Sequence, residues 1–241
     1  MDYSFIKGEP ALLIKKEKTL AVGDLHIGRE FALSKSGIHM VGAASRMGEK
    51  IARLCKENNA DRVVLLGDVK DSIFYPSSDE FRSILEFLRP LENLKVIIAK
   101  GNHDAHLAQI LKRIDFRAEI CDEVFIGNFA FLHGNTMPSE RAMMRKTIVI
   151  AHGHMALRRE GRLEKAWLVL KIGKGAKKFY PGANMKAKLV VVPAFSDLII
   201  GTGISMASGR FIPMLRNNVF DLKSAKIYTL EKKPAGSPQE E

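Results

Sequence analysis

Cysteine is nearly absent from this 241-residue chain, with Cys55 and Cys121 the only two. They lie far apart and outside any CxxC pattern, so neither a disulfide framework nor a thiolate zinc cluster is suggested. Long apolar runs are missing as well. No stretch approaches the roughly 18–20 unbroken apolar residues of a membrane helix, and the opening MDYSFIKGEP lacks the basic-then-apolar order of a secretory signal. The expected location is the cytoplasm. There is no internal repeat and no GxxxxGK[ST] phosphate loop, so the chain carries no ATP-driven module of its own. Acidic residues are the minority, 27 against 38 Lys and Arg, and the net charge of +11 attracts polyanions, nucleic acid first, without specifying a contact.

What is present is apolar material in short blocks, and 46% hydrophobic content is ample for a packed core. ALLI from Ala11, TLAVGD from Thr19, RVVLLGD from Arg62, KVIIAKGN from Lys95, FAFLHGN from Phe129 and TIVIAHGH from Thr147 read as buried strands. Between the second and third blocks, Val41, Ala44, Met47, Ile51, Leu54 and Cys55 recur at helical spacing. SSDEFRSILEFLRPL, before the fourth, opens on a Ser/Asp cap signal. This βαβ alternation predicts an α/β fold. After residue 115 the strands are closely spaced with few helices, which predicts a more antiparallel sheet packed on the first. The expected organisation is one domain over residues 1–232, followed by a disordered tail at 233–241 that is rich in Pro, Gly and charge.

Five of the blocks end in residues of metal-ligand type: Asp24 with His26, Asp68, Asn102 with His103 and Asp104, His133, and His152 with His154. One such ending is as readily a turn or a helix cap. Five converge on a site, because strand ends of an α/β sheet are where sites assemble. The set is mixed oxygen and nitrogen without thiolate, which suits Mn²⁺, Fe or Zn²⁺. It is too large for one ion. Two ions bridged by a carboxylate, roughly 3.5–4 Å apart, would use all seven ligands and suit activation of water at a phosphoryl group. Alternation along an extended strand predicts that Asp24 and His26 share a face, as do His152 and His154. His103 can supply a proton to the leaving oxygen if Asp104 orients its ring.

The ordered motifs GDLH at 23–26, GDVKD at 67–71, GNHD at 101–104, LHGN at 132–135 and AHGH at 151–154 resemble the calcineurin-like metallophosphoesterase superfamily. VVVPAFSDLIIGTGIS further resembles an archaeal branch related to the SbcD-type repair nuclease, and phosphoesterases encoded near bacterial DNA ligases. The resemblance implies two packed mixed β-sheets flanked by helices. It also implies one metal on Asp24, His26, Asp68 and His154 and a second on Asp68, Asn102, His133 and His152, with Asp68 bridging. Catalysis would run by attack of a metal-held hydroxide, with His103 at the scissile phosphate and Asp104 supporting it. Mn is the foremost metal, with Fe, Zn and Mg as alternatives. Three features depart from the pattern. Ser72 and Ile73 follow Asp71 where many members carry a phosphate-binding arginine, Ala151 replaces a glycine, and His39 and His106 have no place in it. His106 is expected to support the site and His39 to lie on the surface.

Residues 158–188 hold ten basic residues against two acids, interleaved with Trp167, Phe179 and Tyr180. Such a segment could draw a phosphate backbone toward the metal histidines and stack on bases, or be a solvated face. Three functions stand open: a phosphodiesterase or nuclease acting on DNA or RNA, a phosphatase or phosphodiesterase for small nucleotides, and a non-catalytic nucleic-acid-binding module. A homodimer and, by analogy, an ATPase partner also stand open.

Overall fold

The computed structural model describes residues 2–34, 37, 40, 42–205 and 208–235. Its first sheet contains β1 (Ser4–Phe5), β2 (Leu12–Ile14), β3 (Thr19–Val22), β4 (Arg62–Leu65), β5 (Lys95–Ala99) and β6 (Ala118–Cys121), in that order across the sheet. β1 to β3 run antiparallel, and β3 to β6 are parallel. Helices α1 (Arg29–Ser34), α2 (Ala43–Glu57), α3 (Ser78–Leu88) and α4 (Leu107–Arg113) lie in the connections. The expected cap is Ser77, whose hydroxyl accepts the Glu80 N–H at 3.2 Å.

The strands read as unbroken apolar runs because both faces are covered. In β3, Leu20 and Val22 pack with Ile51, Leu54, Ile84 and Phe87 of the helices, while Ala21 between them faces the second sheet. β4 and β5 divide the same way, Val63, Leu65, Val96 and Ile98 toward helices and Val64 and Ile97 inward.

The second sheet is built from β7 (Glu123–Ile126), β8 (Phe129–Leu132), β9 (Thr147–Ile150), β10 (Met155–Arg159), β11 (Arg162–Ile172), β12 (Lys188–Val191) and β13 (Thr202–Gly203), with β14 (Phe220–Thr229) paired to β11. It is mixed and, as expected, more antiparallel than the first, with four of its seven pairings antiparallel against two of five, while β8 with β9, β9 with β12, and β10 with β13 are parallel. The short helix α5 (Glu140–Met143) accounts for part of this, since it crosses over between β8 and β9 and lets the second strand start at the same end as the first. Trp167, Phe131, Val149 and Val190 fill the space between the sheets. At the C-terminus, Lys233–Ala235 fold back on β14, with Ala235 N–H donating to Ile227 O at 2.9 Å. Residues 236–241 of the expected tail, and His39, lie outside the described residues. No helix among the described residues is long and apolar enough to cross a membrane.

α2 meets α3 at Gly48, where an added Cβ would stand 2.2 Å from Phe87 O. Gly48→Ala should therefore destabilise the protein by about 1–3 kcal/mol through overpacking, although alanine is preferred to glycine in a helix by about 1 kcal/mol. Urea denaturation checks this, and a midpoint at or above wild type would mean that the helix pair separates freely.

Candidate metal centre

Every residue of the expected ligand set sits just beyond a strand end, at one end of the two-sheet core. Asp24 and His26 follow β3, Asp68 follows β4, Asn102 follows β5, His133 follows β8, and His152 and His154 bracket the turn between β9 and β10. The alternation argument needs correction, because the paired ligands are not on extended backbone. Asp24, His26, Asp68, His152 and His154 all have positive φ, from 44° to 63°. Left-handed backbone costs a non-glycine residue roughly 1–3 kcal/mol, so these loops hold strain where the ligands converge.

Hydrogen bonds hold the loops in place. His26 N–H and Leu25 N–H both donate to Asp68 O, at 2.9 and 3.0 Å. His152 N–H donates to Asp24 Oδ1 at 3.1 Å and His103 N–H to Asp68 Oδ1 at 2.9 Å. The stretch that follows β12 backs both groups of ligands: Phe195 N–H donates to Gly23 O at 2.8 Å, and Thr202 N–H donates to His154 O at 2.7 Å. Gly101 must lack a side chain, since a Cβ there would lie 2.3 Å from Asp68 Oδ1.

The expected ligands fall into two clusters, and a third group, His26, Asp71 and His103, adjoins them. Asp24, His26, Asp68 and His154 offer ligand atoms within 4.8 Å of one another, and so do Asp68, His133 and His152, so Asp68 is common to both. Asn102 joins the second, its Oδ1 3.2 Å from His133 Nε2. The donors suit cations. Asp24 Oδ2 is buried without a hydrogen-bond partner, and the Nε2 atoms of His26 and His154 face each other at 3.3 Å. His133 Nδ1 donates to Leu66 O at 2.8 Å, which leaves Nε2 as its ligand atom.

Charges interact strongly here. Burial alone would raise the Asp68 pKa, but the hydrogen bond and charge of His133 and the His103 N–H hold it far below the usual carboxylate range. Burial would lower His133, yet Asp68 and Asp24 lift it to about 9. His152 falls to about 4 through burial and the neighbouring His133 charge. A cation entering the second cluster must displace the His133 proton.

His103 stands beside the clusters, Nε2 4.0 Å from Asp68 Oδ2. Asp104 does not orient it. The Asp104 oxygens accept the Val69 and Gly101 N–H groups, each at 2.8 Å, and the His103 Nδ1 pairs instead with Asp71 O. Asp71, to which sequence reasoning assigned no role, also accepts from His26 Nδ1 at 3.1 Å; its signal was the second Asp of GDVKD. Beyond it, the fully buried Lys70 ties down the Ser72 and Phe74 carbonyls and holds up a loop on which Ile73, Phe74 and Tyr75 are exposed. His106 is exposed, caps α4, and lies against Tyr75 with ring centroids 5.9 Å apart. A cavity of about 790 Å³ opens beside Asn102 and His133, with Lys100 and Asn135 in its wall.

The calcineurin-like phosphoesterase family model matches residues 17–222, a span that includes every ligand. The chain belongs to this family. It is accordingly a hydrolase acting on phosphoric esters, and the family's use of divalent metals agrees with the donor set. Among solved structures it is similar to the Pseudomonas putida nuclease MPE, at 18% identity and a TM-score of 0.64 over 97% of this chain and 100% of that one. At that identity the likeness concerns the fold, which is two mixed sheets flanked by helices, as expected. It is also similar, at a TM-score of 0.36 and 16% identity, to Yfce, a phosphoesterase from E. coli, over 60% of this chain and 75% of that one. No curated protein matches the chain.

The basic segment is spread over several elements, from β10 and β11 to α6 (Ala176–Phe179) and the start of β12. Lys165 is held by Ser196 O at 2.8 Å and Asp197 at 3.2 Å, and Trp167 and Tyr180 are buried in the core, unable to stack on bases. Phe179 alone of the three aromatics is exposed.

Because Asp104 accepts two buried N–H groups, Asp104→Asn would set an amide donor against one of them. A loss of about 1–3 kcal/mol is expected, read as a lower thermal midpoint of the metal-free protein. An unchanged midpoint would show that the two loops do not depend on this carboxylate.

Proposed function

We propose that the chain is a two-metal phosphodiesterase acting on nucleic acid. The observation that carries this is the pair of ligand clusters sharing Asp68, with the His103 ring beside them. Asp24, His26, Asp68 and His154 would hold one divalent cation, and Asp68, Asn102, His133 and His152 the other. Once bound, the cations, manganese foremost with iron, zinc or magnesium as alternatives, would supply Lewis acidity and an activated water.

The protein's own residues do the rest. A carbonyl can only accept, so the His103 Nδ1 paired with Asp71 O carries hydrogen. On the doubly protonated ring, Nε2 is then the atom that delivers its proton to the leaving oxygen, after which the ring is neutral with hydrogen kept on Nδ1. Asp71 holds both His103, through its carbonyl, and His26, through its carboxylate. Asp104 acts at a distance, fixing the loops that carry Asp68 and Asn102. No arginine follows Asp71 in the sequence, but Arg29, three residues after His26, stands part-exposed with its Nη1 3.6 Å from Asp71 Oδ1, so Arg29, Lys100 and the +11 charge are available to attract phosphate. The exposed Phe74 and Tyr75 suit contact with a base flanking the scissile bond. The similarity in fold to a nuclease supports the same substrate class. A small-nucleotide substrate is the second reading, favoured by a cavity of about 790 Å³ beside the ligands, a size ordinary for small-molecule sites.

The test is to strip the protein with chelator, restore Mn²⁺, Mg²⁺, Zn²⁺ or Fe²⁺ singly, and assay bis- and mono-p-nitrophenyl phosphate. Diester hydrolysis should need metal. His103→Ala should lower kcat by about 10²–10⁴-fold with metal stoichiometry unchanged, and Asp68→Asn should lower both. Labelled DNA and RNA would then be cut in preference to free nucleotides. Preference for free nucleotides would select the second reading, and absence of turnover with two ions bound would overturn both.

A further inference from the structure

At the end opposite the metal centre lie the starts of β9 and β12, where Thr147 pairs with Lys188. The inward-facing columns of the second sheet run Trp167–Val169–Lys171 on β11 and Val192–Val190–Lys188 on β12, apolar inside the core and lysine at that end. On β14, Tyr228 and Lys226 continue the same face. The result is a groove of about 790 Å³, floored by Val169 and the rings of Tyr3, Phe5 and Tyr228. Lys146, Lys171, Lys186, Lys188, Lys226 and Lys232 line it, and Asp2 is the one acid among its lining residues.

Those six lysines make no ion pair within 4.0 Å among the described residues, whereas Lys7, Lys18, Lys50 and Lys165 do. Lys171 and Lys188 are also direct cross-strand partners on antiparallel strands. Like charges in that register are destabilising. Asp221 of β14 faces Lys171 but forms no ion pair with it within 4.0 Å, so around the aromatic floor the lysines outnumber the acids, Asp2 in the lining and Asp221 beside it, and an anion would relieve their repulsion.

The groove is not part of the metal centre. Lys188 pairs with Thr147 at the start of β9, whereas His152 lies beyond the other end of that strand, which stops at Ile150.

We propose that this groove is a second nucleic-acid site, which holds a single strand outside the metal centre. It rests on the nucleic-acid part of the functional reading and not on catalysis. Lysines spaced along adjacent strand ends meet successive phosphates, and Tyr3 and Tyr228 offer ring surface to bases, the combination that binds single strands without reading sequence. A groove of this kind would raise the residence of a polymer while leaving small diesters unaffected, so the two surfaces can be separated by experiment.

The experiment is fluorescence anisotropy of a fluorescein-labelled oligothymidylate of about 20 nucleotides, with the full chain in chelator so that no cutting occurs, across a salt series. The variants are Lys171→Glu/Lys188→Glu/Lys226→Glu, its Lys→Gln counterpart, and Asp68→Asn. The proposal expects the charge-reversed protein to bind about tenfold or more weakly, with a salt slope shallower by about 2, three phosphates at about 0.7 each. The glutamine variant should fall between, and Asp68→Asn should bind as wild type. Hydrolysis of bis-p-nitrophenyl phosphate by the lysine variants with metal restored should match wild type, which also shows that they are folded. Wild-type binding in both lysine variants, no binding by the wild type, or displacement by polyglutamate as effective as by unlabelled oligothymidylate would each overturn the site. Lysine-dependent binding by a protein that hydrolyses no diester would keep the groove and remove the nuclease reading.

Discussion

One carboxylate shared by two groups of histidines is the constraint around which this molecule is arranged. Asp68 is buried, and burial alone would neutralise it. It stays ionised because His133 lies 3.2 Å from one oxygen and the His103 N–H reaches the other at 2.9 Å. Around it, His133 is pushed up against its burial by acidic neighbours, and His152 is pushed down by burial and then by the His133 charge. Without a cation the site balances itself with protons, and a divalent ion would do the same with firmer directionality. Asp24 Oδ2, buried and unpartnered, marks where the protons do not suffice.

Such a cluster persists only on a rigid support. Five ligand residues sit on left-handed backbone, and strain of that kind needs surrounding structure to hold it. The support is two sheets, each ending at the same edge. Asp24, Asp68 and Asn102 come from parallel strands of the first, and His133 and His152 follow parallel strands of the second. The stretch around Phe195 and Thr202 ties the ligand loops of both sheets together through main-chain bonds. At the far edge the second sheet carries lysines instead of ligands. One architecture therefore presents metal donors at one end and unpaired cations at the other.

Much of this was legible in local sequence, and the limits have physical causes. The six apolar blocks became strands and Ser77 became a cap, because burial on both faces and capping are short-range demands. The motif endings did come together. The reason offered for Asp24 with His26 was nevertheless wrong, since strand periodicity does not extend into a left-handed loop. Asp104 was adjacent to His103 in sequence but bonds backbone 35 residues away, at Val69. The pairing of β8 with β9 depended on a four-residue crossover helix too short to carry a periodic signal.

By itself the sequence determined composition, strand content, the donor types and their order, and through these the family. Those properties are carried by residue identity and by spacing within a few positions. Tertiary structure alone decided that Asp71 holds His103 and that Trp167 and Tyr180 are buried in the core. It also divided one basic segment between a core contact at Lys165 and a distal groove at Lys171 and Lys188. Distances between residues far apart in the chain follow from how two sheets of unequal size pack, and no local pattern encodes that.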